Sequence, residues 1–583
     1  MAVRSFPTDA NFWPDLRNFR RFSASFAPDL PPCLRGLAAS PSFRMTSLSS
    51  WFRRGTFALL CLGALGAEPA LAQRQAGPGR PTDFLDPSFH RGRREALRQR
   101  MPAGSVAVLL TAPVRNRAND IDFLYHQNPD LYYLTGYDEP DGVLVLFKEP
   151  QTIGGQSGLT EMLFVQPRDP KRELWTGRRL GKDGAQRELK LQYVAENKDF
   201  AGAGIPWDKF TQVLLPELPT DVRDNNDNPA DLYDLTASLR QQIKLPADYN
   251  PRLSELQQLI QRYGVANGDN LRPYVASQAS AQPAIAADAY VQAFLKADSK
   301  EAREKAVASR PSTAVRYDGG ALNSALDELR EVKTPEEIKL LRQAIRISAV
   351  GQQEVMKALK PDMGEMELQG LHEFVYRKYG AEYEGYPSIV GAGANGCILH
   401  YEVNDKPRVG NDLVLMDCGA EYHGYSADVT RTAPPSGKFS SEQKQIYELV
   451  LAAQDAGFEA CKPGSTFRAP HEAANKVIVD GLKKLGIIKT DEEVRRYFPH
   501  GTSHYLGLDV HDRGSYGPLK AGNVITVEPG IYIPEGSPCD KKWWNIGVRI
   551  EDDILITEKG WENLSREAPR TVADIEKLMA QPS

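Results

Sequence analysis

Several acidic residues sit inside runs that otherwise read as buried β-strand, and a fold can accept them there only by giving each a partner. Residues 413–431 read L-V-L-M-D-C-G-A-E-Y-H-G-Y-S-A-D-V-T-R. Two β-prone runs, 413–418 and 425–432, flank a Gly-containing turn, which predicts a hairpin. With Tyr422 and His423 at its centre, Asp417 falls opposite Asp428. Cross-strand side chains share a face at roughly 4.5–5.5 Å between Cβ atoms. Two like charges at that distance are unfavourable unless something positive lies between them. A divalent metal meets that need; a polar hairpin face in water is the alternative. Two further runs, V-I-T-V-E-P-G-I-Y (524–532) and G-V-R-I-E-D-D (547–553), place Glu528 and Glu551 among apolar neighbours. Buried carboxylates are rare unless paired or bound to metal. The segment H-G-T-S-H-Y-L-G-L-D-V-H-D (500–512) adds His500, His504 and His511, three of only nine histidines in the chain.

Length and charge narrow the classes available. A chain of 583 residues favours more than one domain. A net charge of −5 and a pI near 6.1 give no basic surface for nucleic acid. Near the start, Met45-T-S-L-S-S-W-F-R-R precedes an apolar run at 56–67 and then Pro69-A-L-A-Q. Basic residues, an apolar core and a closing Ala70-Leu71-Ala72 predict a secretory signal peptide over 45–72, cleaved after Ala72. Its core is too short to span a bilayer. The expected product is secreted or periplasmic, with no membrane span once the signal is removed. Residues 1–44, rich in Phe, Pro and Arg, read as a disordered or non-native leader, with Met45 as the true start. Four of the six cysteines follow Ala72, at Cys397, Cys418, Cys461 and Cys539, and none forms a CxxC zinc pattern. Cys418 points away from Asp417 on its strand and is expected to pack in the core.

Along the mature chain, His90-R-G-R-R-E-A-L-R-Q-R-M predicts a charged helix, and Ser105-V-A-V-L-L-T a buried strand. Leu131-Y-Y-L-T-G, Gly142-V-L-V-L-F and Met162-L-F-V-Q predict further strands, so this part reads as α/β. An elaboration over about 208–322 contains a polar loop at 224–229, an amphipathic helix at 253–263 and Ala-rich helices at 281–297 and 300–308. The second domain opens near Leu326. Thr334-P-E-E has a capping threonine, a proline at the first helical position and Glu337 three residues after the cap. Ile338, Leu341, Ile345 and Ala349 follow at helical spacing. Further helices are expected over 365–379, from Ser440 to about Lys462, over 471–484 and after Thr571.

The order Asp417, Asp428, His504, Glu528, Glu551 resembles the metal-ligand series of the dinuclear pita-bread metallopeptidases. Within them, Tyr386-P-S-I-V-G-A-G-A-N-G-C-I-L-H-Y, the 500–512 segment and Gly547-V-R-I-E-D-D-I-L-I-T are similar to the Xaa-Pro aminopeptidase (aminopeptidase P) family. The likeness runs through 332–580, with weaker blocks at Asp120 to Pro140 and Arg172-E-L-W-T-G-R-R-L-G. It implies a mixed α/β (α+β) protein: an aminopeptidase P-like N-terminal domain over 73–325 and a pita-bread catalytic domain over 326–583. The implied reaction releases the first residue of a peptide with proline in second position.

The resemblance also implies two divalent ions, bridged by Asp428 and Glu551, with Asp417 completing one and His504 with Glu528 the other. The oxygen-rich set suits Mn²⁺ best, while Co²⁺, Fe²⁺ or Zn²⁺ remain compatible. A hydroxide bridging the ions would attack, with Glu528 as proton shuttle and His400 and His511 donating near the developing oxyanion. His500, Arg549 and Tyr532 would line the proline pocket, and Tyr386 would meet the substrate amino terminus. Arg549 has a second reading, an ion pair that neutralises surplus acid. Asp120 and Trp175 match positions that approach a neighbouring subunit's cleft, which implies a homo-oligomer, dimer or tetramer. Their structural alternatives are a loop cap for Asp120 and a core position for Trp175. Prolidase on the same fold is the nearest alternative. A creatinase-like amidinohydrolase would lack the acidic set, and an inactive binding module would have lost ligands.

Overall fold

The computed structural model describes residues 83–581, apart from 226–227, 266–267 and 312–315. The leader at 1–44, the signal segment at 45–72 and the start of the linker after it lie outside the described residues. The helix Pro87–Arg100 opens the described chain, capped by Asp86 and followed by the strand Ser105–Leu110, whose six residues are all buried. That strand lies fourth in a mixed five-stranded sheet. Val143–Ile153 runs antiparallel beside it and Gln156–Val165 antiparallel to Val143–Ile153 in turn, while Val194–Glu196 and Gln212–Leu214 close the two edges, each parallel to its neighbour.

The segment expected to be a strand at Leu131 is the helix Pro129–Thr135. The Asn128 carboxamide oxygen accepts the N–H groups of Asp130 (3.0 Å) and Leu131 (3.3 Å). Pro129 takes the first helical position, and Gly136 ends the helix at φ +69°. These cap signals outweigh the β preference of Leu-Tyr-Tyr. The Ala-rich stretch at 281–297 is two short helices, Pro283–Ala287 and Ala289–Lys296. Asp288 separates them and caps the second by accepting the Val291 N–H at 2.8 Å. Together with Pro251–Tyr263, Gly268–Ala281 and Lys300–Ala308, they enclose a hydrophobic cluster of their own, built on Leu256, Ile260, Val275, Val291 and Phe294.

The helix Pro335–Ala358 begins with the expected capping box: Glu337 N–H donates to Thr334 Oγ1, and Thr334 N–H donates to the Glu337 carboxylate. Its apolar stripe, Leu341, Ile345 and Val355, lies in a core that also holds Leu131, Tyr133 and Leu144 from the N-terminal part. The helices Glu365–Lys378, Ser441–Ala460, Ala469–Lys484 and Val572–Met579 also form as expected. They accompany small antiparallel sheets, of which Val414–Asp417, Thr430–Ala433 and Ile389–Ala392 form one, and Val524–Val527, Asp552–Thr557 and Gly560–Asn563 another. Cys418 packs in the core, and Cys397, Cys418, Cys461 and Cys539 are free thiols. Among the described residues, no helix is long and apolar enough to cross a membrane.

Candidate metal centre

Each candidate acid sits where a strand is interrupted. The strand Val414–Asp417 ends at Asp417, and pairing resumes at Ala420–Tyr422 in a different sheet. On the return, Tyr425–Ser426 and Thr430–Ala433 leave Asp428 in the gap between them. Val524–Val527 and Gly530–Ile533 bracket Glu528, and Ile546–Arg549 and Asp552–Thr557 bracket Glu551. The sequence pattern had suggested acids in mid-strand. The interruptions re-aim them, as irregularities in strands beside functional sites commonly do. The two hairpins are joined at this level: Glu551 N–H donates to Thr430 O (3.1 Å), and Thr430 Oγ1 donates to Glu551 Oε2 (2.6 Å).

The hairpin register differs from the expected one. Its turn centres on His423 and Gly424, at φ +52° and +83°, so Tyr422 pairs with Tyr425 and Asp417 with Thr430 instead of Asp428. Two consecutive residues at positive φ are the type I′ requirement, which a glycine at the second place meets without strain. Moving the centre by one residue changes each partner by two, so both aspartates keep their common face. Tyr386 Oη lies 2.6 Å from Oδ1 of Asp417 and 2.6 Å from Oδ1 of Asp428, so the two carboxylates converge on one hydroxyl.

A cleft of about 290 Å³ is lined by Asp417, Asp428, His504, Glu528 and Glu551, and by His400, His500, His511 and Arg549. Ligand atoms of Asp428, His504 and Glu551 lie within 4.8 Å of one another. His504 Nδ1 is 3.0 Å from Tyr505 O, which leaves Nε2 facing Asp428 (3.4 Å) and Glu528 (3.6 Å). His511 packs edge-on against His504, with ring centroids 4.3 Å apart. Arg549 donates to Asp417 Oδ2 and to Tyr532 Oη (2.9 Å), and the same hydroxyl lies 2.8 Å from His500 Nε2. Tyr532 is thereby tied to two cleft residues, and Arg549 makes the acid-neutralising ion pair while facing the cleft.

The metal-free charge distribution tests whether this set fits cations. Burial pushes Glu528 up to about 7, and the nearby Asp428 and Asp417 add to the rise against an opposing pull from His504 and Arg549. Burial, Asp428 and Glu528 raise Glu551 well above the carboxylate range. Asp428 is raised by burial and by Asp417, whereas Asp417 is held low, against its burial, by the Arg549 guanidinium. His504 is buried, which opposes its charge, yet Asp428 and Glu528 drive it up to about 9. The cluster therefore retains protons between its carboxylates, where positive charge is required. One imidazole and four carboxylates fit divalent ions that favour oxygen donors. Burial and Arg549 depress His500 to about 4, and burial with His504 and His400 depresses His511, so both are neutral at pH 7.

Residues 339–558 match metallopeptidase family M24, and residues 90–203 match the aminopeptidase P N-terminal domain. The Xaa-Pro aminopeptidase of Escherichia coli (strain K12) is 36% identical over 499 residues, covering 84% of this chain and 96% of that protein. The chain belongs to the Xaa-Pro aminopeptidase family. Among solved structures of that family, E. coli aminopeptidase P with the inhibitor Pro-Leu superposes with a TM-score of 0.65 at 31% identity, covering 85% of this chain and 98% of that one. Pseudomonas aeruginosa aminopeptidase PepP gives 0.66 at 33% identity, with the same coverage. The fold is thus the mixed α/β arrangement of this family, an aminopeptidase P N-terminal domain followed by a pita-bread domain.

Two residues singled out by the family resemblance lie outside the cleft. Asp120 is in the exposed turn between Asn116–Ala118 and Ile121–Asp122. Trp175, on the short helix Pro170–Thr176, is 89% exposed, so a core role for it is ruled out. Three residues at the site were not recognised in the sequence. Thr430 contacts Glu551 directly, and Gln352 and Gln454 bind the backbone beside the acids. The glutamines carried a signal, since each is polar within an apolar helical stripe: Ile345 and Val355 flank Gln352, and Val450 and Phe458 flank Gln454.

Proposed function

We propose that the protein is a Xaa-Pro aminopeptidase: it releases the N-terminal residue from peptides with proline in second position, using two divalent ions. The observation that carries this reading is the convergence of four acids and His504, from two interrupted hairpins and one loop, on a single cleft in a family member. Asp417, Asp428, His504, Glu528 and Glu551 would hold the ions, and their oxygen-rich chemistry favours Mn²⁺. When bound, the ions supply an electrophile for the scissile carbonyl and a water acidified toward neutrality for attack.

The chain's own groups do the rest. His400 and His511, at the cleft mouth, donate toward the carbonyl oxygen as it gains charge. Neutral His500, Tyr532 and Arg549 form a linked wall for the proline ring. Proline has no N–H and a fixed φ, so its amide nitrogen needs a shaped pocket and a proton on departure. Glu528, which lines the cleft beside His504, would carry that proton. Tyr386, which touches Asp417 and Asp428, would meet the substrate amino terminus.

Export rests on the signal-like segment 45–72, and terminal sequencing of the mature protein should begin at Gln73. A homo-oligomer is supported by exposed Leu124, Leu174 and Trp175, apolar side chains that a second copy would cover. The deciding assay offers Arg-Pro-Pro to metal-depleted protein with Mn²⁺, Co²⁺ and Zn²⁺ restored separately. Cleavage of the Arg–Pro bond only after metal addition is expected. An intact tripeptide alongside cleaved Xaa-Pro dipeptide would make it a prolidase, and full activity in chelator would end the metal mechanism.

A further inference from the structure

Two buried glutamines on separate helices make equivalent contacts behind the two pairs of acids. Gln352, on the helix Pro335–Ala358, donates through Nε2 to Met416 O (3.1 Å) and Val429 O (2.7 Å). These carbonyls belong to the residue before Asp417 and the residue after Asp428. Gln454, on the helix Ser441–Ala460, has Nε2 within reach of Val527 O (3.2 Å), Ile550 O (3.1 Å) and Asp552 Oδ2 (2.9 Å). Val527 and Ile550 immediately precede Glu528 and Glu551. Both glutamines are fully buried.

A carboxamide nitrogen carries two N–H groups, so one side chain can hold two carbonyls at a fixed separation. Gln352 spans the two arms of its hairpin beside the interruption, and Gln454, whose two N–H groups are shared among three acceptors, spans the arms of the other while also meeting the Asp552 carboxylate. At that level the ladder thins to long contacts, Cys418 N–H to Val429 O (3.5 Å) and Ile550 N–H to Pro529 O (3.4 Å), and the carboxamide adds a further cross-link between the arms. The separation of the arms sets the separation of the carboxylates they bear.

Filling the core would not require this chemistry. A methionine or leucine would pack in the same stripe without polar atoms. Gln352 moreover leaves its Oε1 buried without a partner among the described residues, a cost an apolar side chain would avoid. The same contact made twice, from unrelated points in the chain and on both acid pairs, separates it from incidental satisfaction of a stray carbonyl.

We propose that Gln352 and Gln454 are positioning residues for the metal site, each holding one pair of acid-bearing arms at the spacing that two cations need. The inference rests on the metallopeptidase reading above. It assigns the glutamines no contact with substrate.

The test compares the full chain with Gln352→Met and Gln454→Met, which keep side-chain length and remove the donors. Mn²⁺ is the probe, and its Kd is measured by titration calorimetry alongside Tm with and without the ion. A positioning role predicts a Kd weakened about 10–100-fold, the usual range for groups that orient ligands. It also predicts a smaller rise in Tm on adding Mn²⁺ than wild type shows, because less binding energy is linked to folding. A purely structural role lowers Tm equally with and without Mn²⁺ and leaves Kd within twofold of wild type, and that result in both variants overturns the proposal. If one variant fails to fold, the other carries the test, because the two sit on different helices. A wild-type chain that binds none of Mn²⁺, Co²⁺ or Zn²⁺ ends the metal reading and this proposal together. Wild-type binding with unchanged variants ends this proposal alone.

Discussion

Arg330 donates to the carboxylate of Asp512, both side chains are buried, and Asp512 directly follows His511. The same guanidinium reaches Asp130 (2.7 Å) and Asp509 (2.8 Å), and Lys333 Nζ donates to the second oxygen of Asp512 (2.8 Å). Asp512 N–H donates to Tyr505 O (2.8 Å), closing the loop that carries His504 and His511. Arg330→Met would leave Asp512 to Lys333 alone and Asp130 to Arg513 alone (3.1 Å), so each buried carboxylate loses one of its cations and keeps the other. Breaking a buried pair from one side costs about 3–5 kcal/mol. A markedly lower urea midpoint is expected, and a midpoint equal to wild type would show that the cluster contributes nothing.

Acid should erode the same contact. Burial alone would raise Asp512, but Arg330 and Lys333 outweigh it and hold the carboxyl below the usual range. A carboxyl depressed in the folded state contributes stability above its unfolded pKa, near 3.9, and loses it as pH falls through the folded value. Asp512→Asn should therefore melt lower than wild type at pH 7. The two proteins should converge below about pH 4, as thermal scans across that range would show.

His372 behaves in the opposite chemical sense, with the same direction in pH. It is fully buried, neither ring nitrogen has a partner among the described residues, and burial lowers its pKa to about 3. The unfolded chain takes up its proton near pH 6.5, so the neutral ring destabilises the fold progressively as pH drops from there toward 3. At pH 5 that linkage amounts to about 2 kcal/mol. His372→Leu should raise Tm more at pH 5 than at pH 8, and an equal shift at both values would contradict the assignment.

Glu551→Gln should separate stability from function. The glutamate sits among Asp428, Glu528 and Asp417, which together with burial raise its pKa. Replacing it with an uncharged isostere should leave the metal-free protein as stable as wild type or more so, because a carboxyl whose pKa is raised on folding costs stability at neutral pH. Activity with Mn²⁺ should fall by more than about 100-fold, and the gain in Tm on adding the ion should shrink. Retained Mn²⁺-dependent hydrolysis would remove Glu551 from the ligand set.

Trp175→Ala tests the second copy. The indole is 89% exposed, so the folded single chain should lose no more than about 0.5 kcal/mol. If another copy covers Trp175, light scattering should show a smaller assembly, or kcat/KM should fall at unchanged Tm. Unchanged mass and unchanged kinetics would leave the side chain without a role in assembly.

Much of the site could be read in the sequence because carboxylates in apolar runs are locally conspicuous. Glu528 and Glu551 announced themselves by their neighbours, and the cap at Thr334 by its spacing to Glu337. The register of the 413–433 hairpin was less legible, since His423 and Gly424 compete with Tyr422 and His423 for the turn, and only the backbone at positive φ decides. Leu131 to Thr135 was misread because β-prone side chains drew more weight than the Asn-Pro start and the Gly136 stop. Gln352 and Gln454 were missed for a different reason: their partners lie 64 to 98 residues away, beyond any local pattern.

The apolar core that runs from Leu131, Tyr133 and Leu144 to Leu341 and Ile345 has a consequence for how this molecule can be divided. A knife placed between the two family-matched segments would bare a greasy wall on each fragment, so neither should survive as a soluble piece. Heating should accordingly give a single calorimetric endotherm for both parts, and any partner bound by the amino-terminal sheet will register in the melting of the peptidase half.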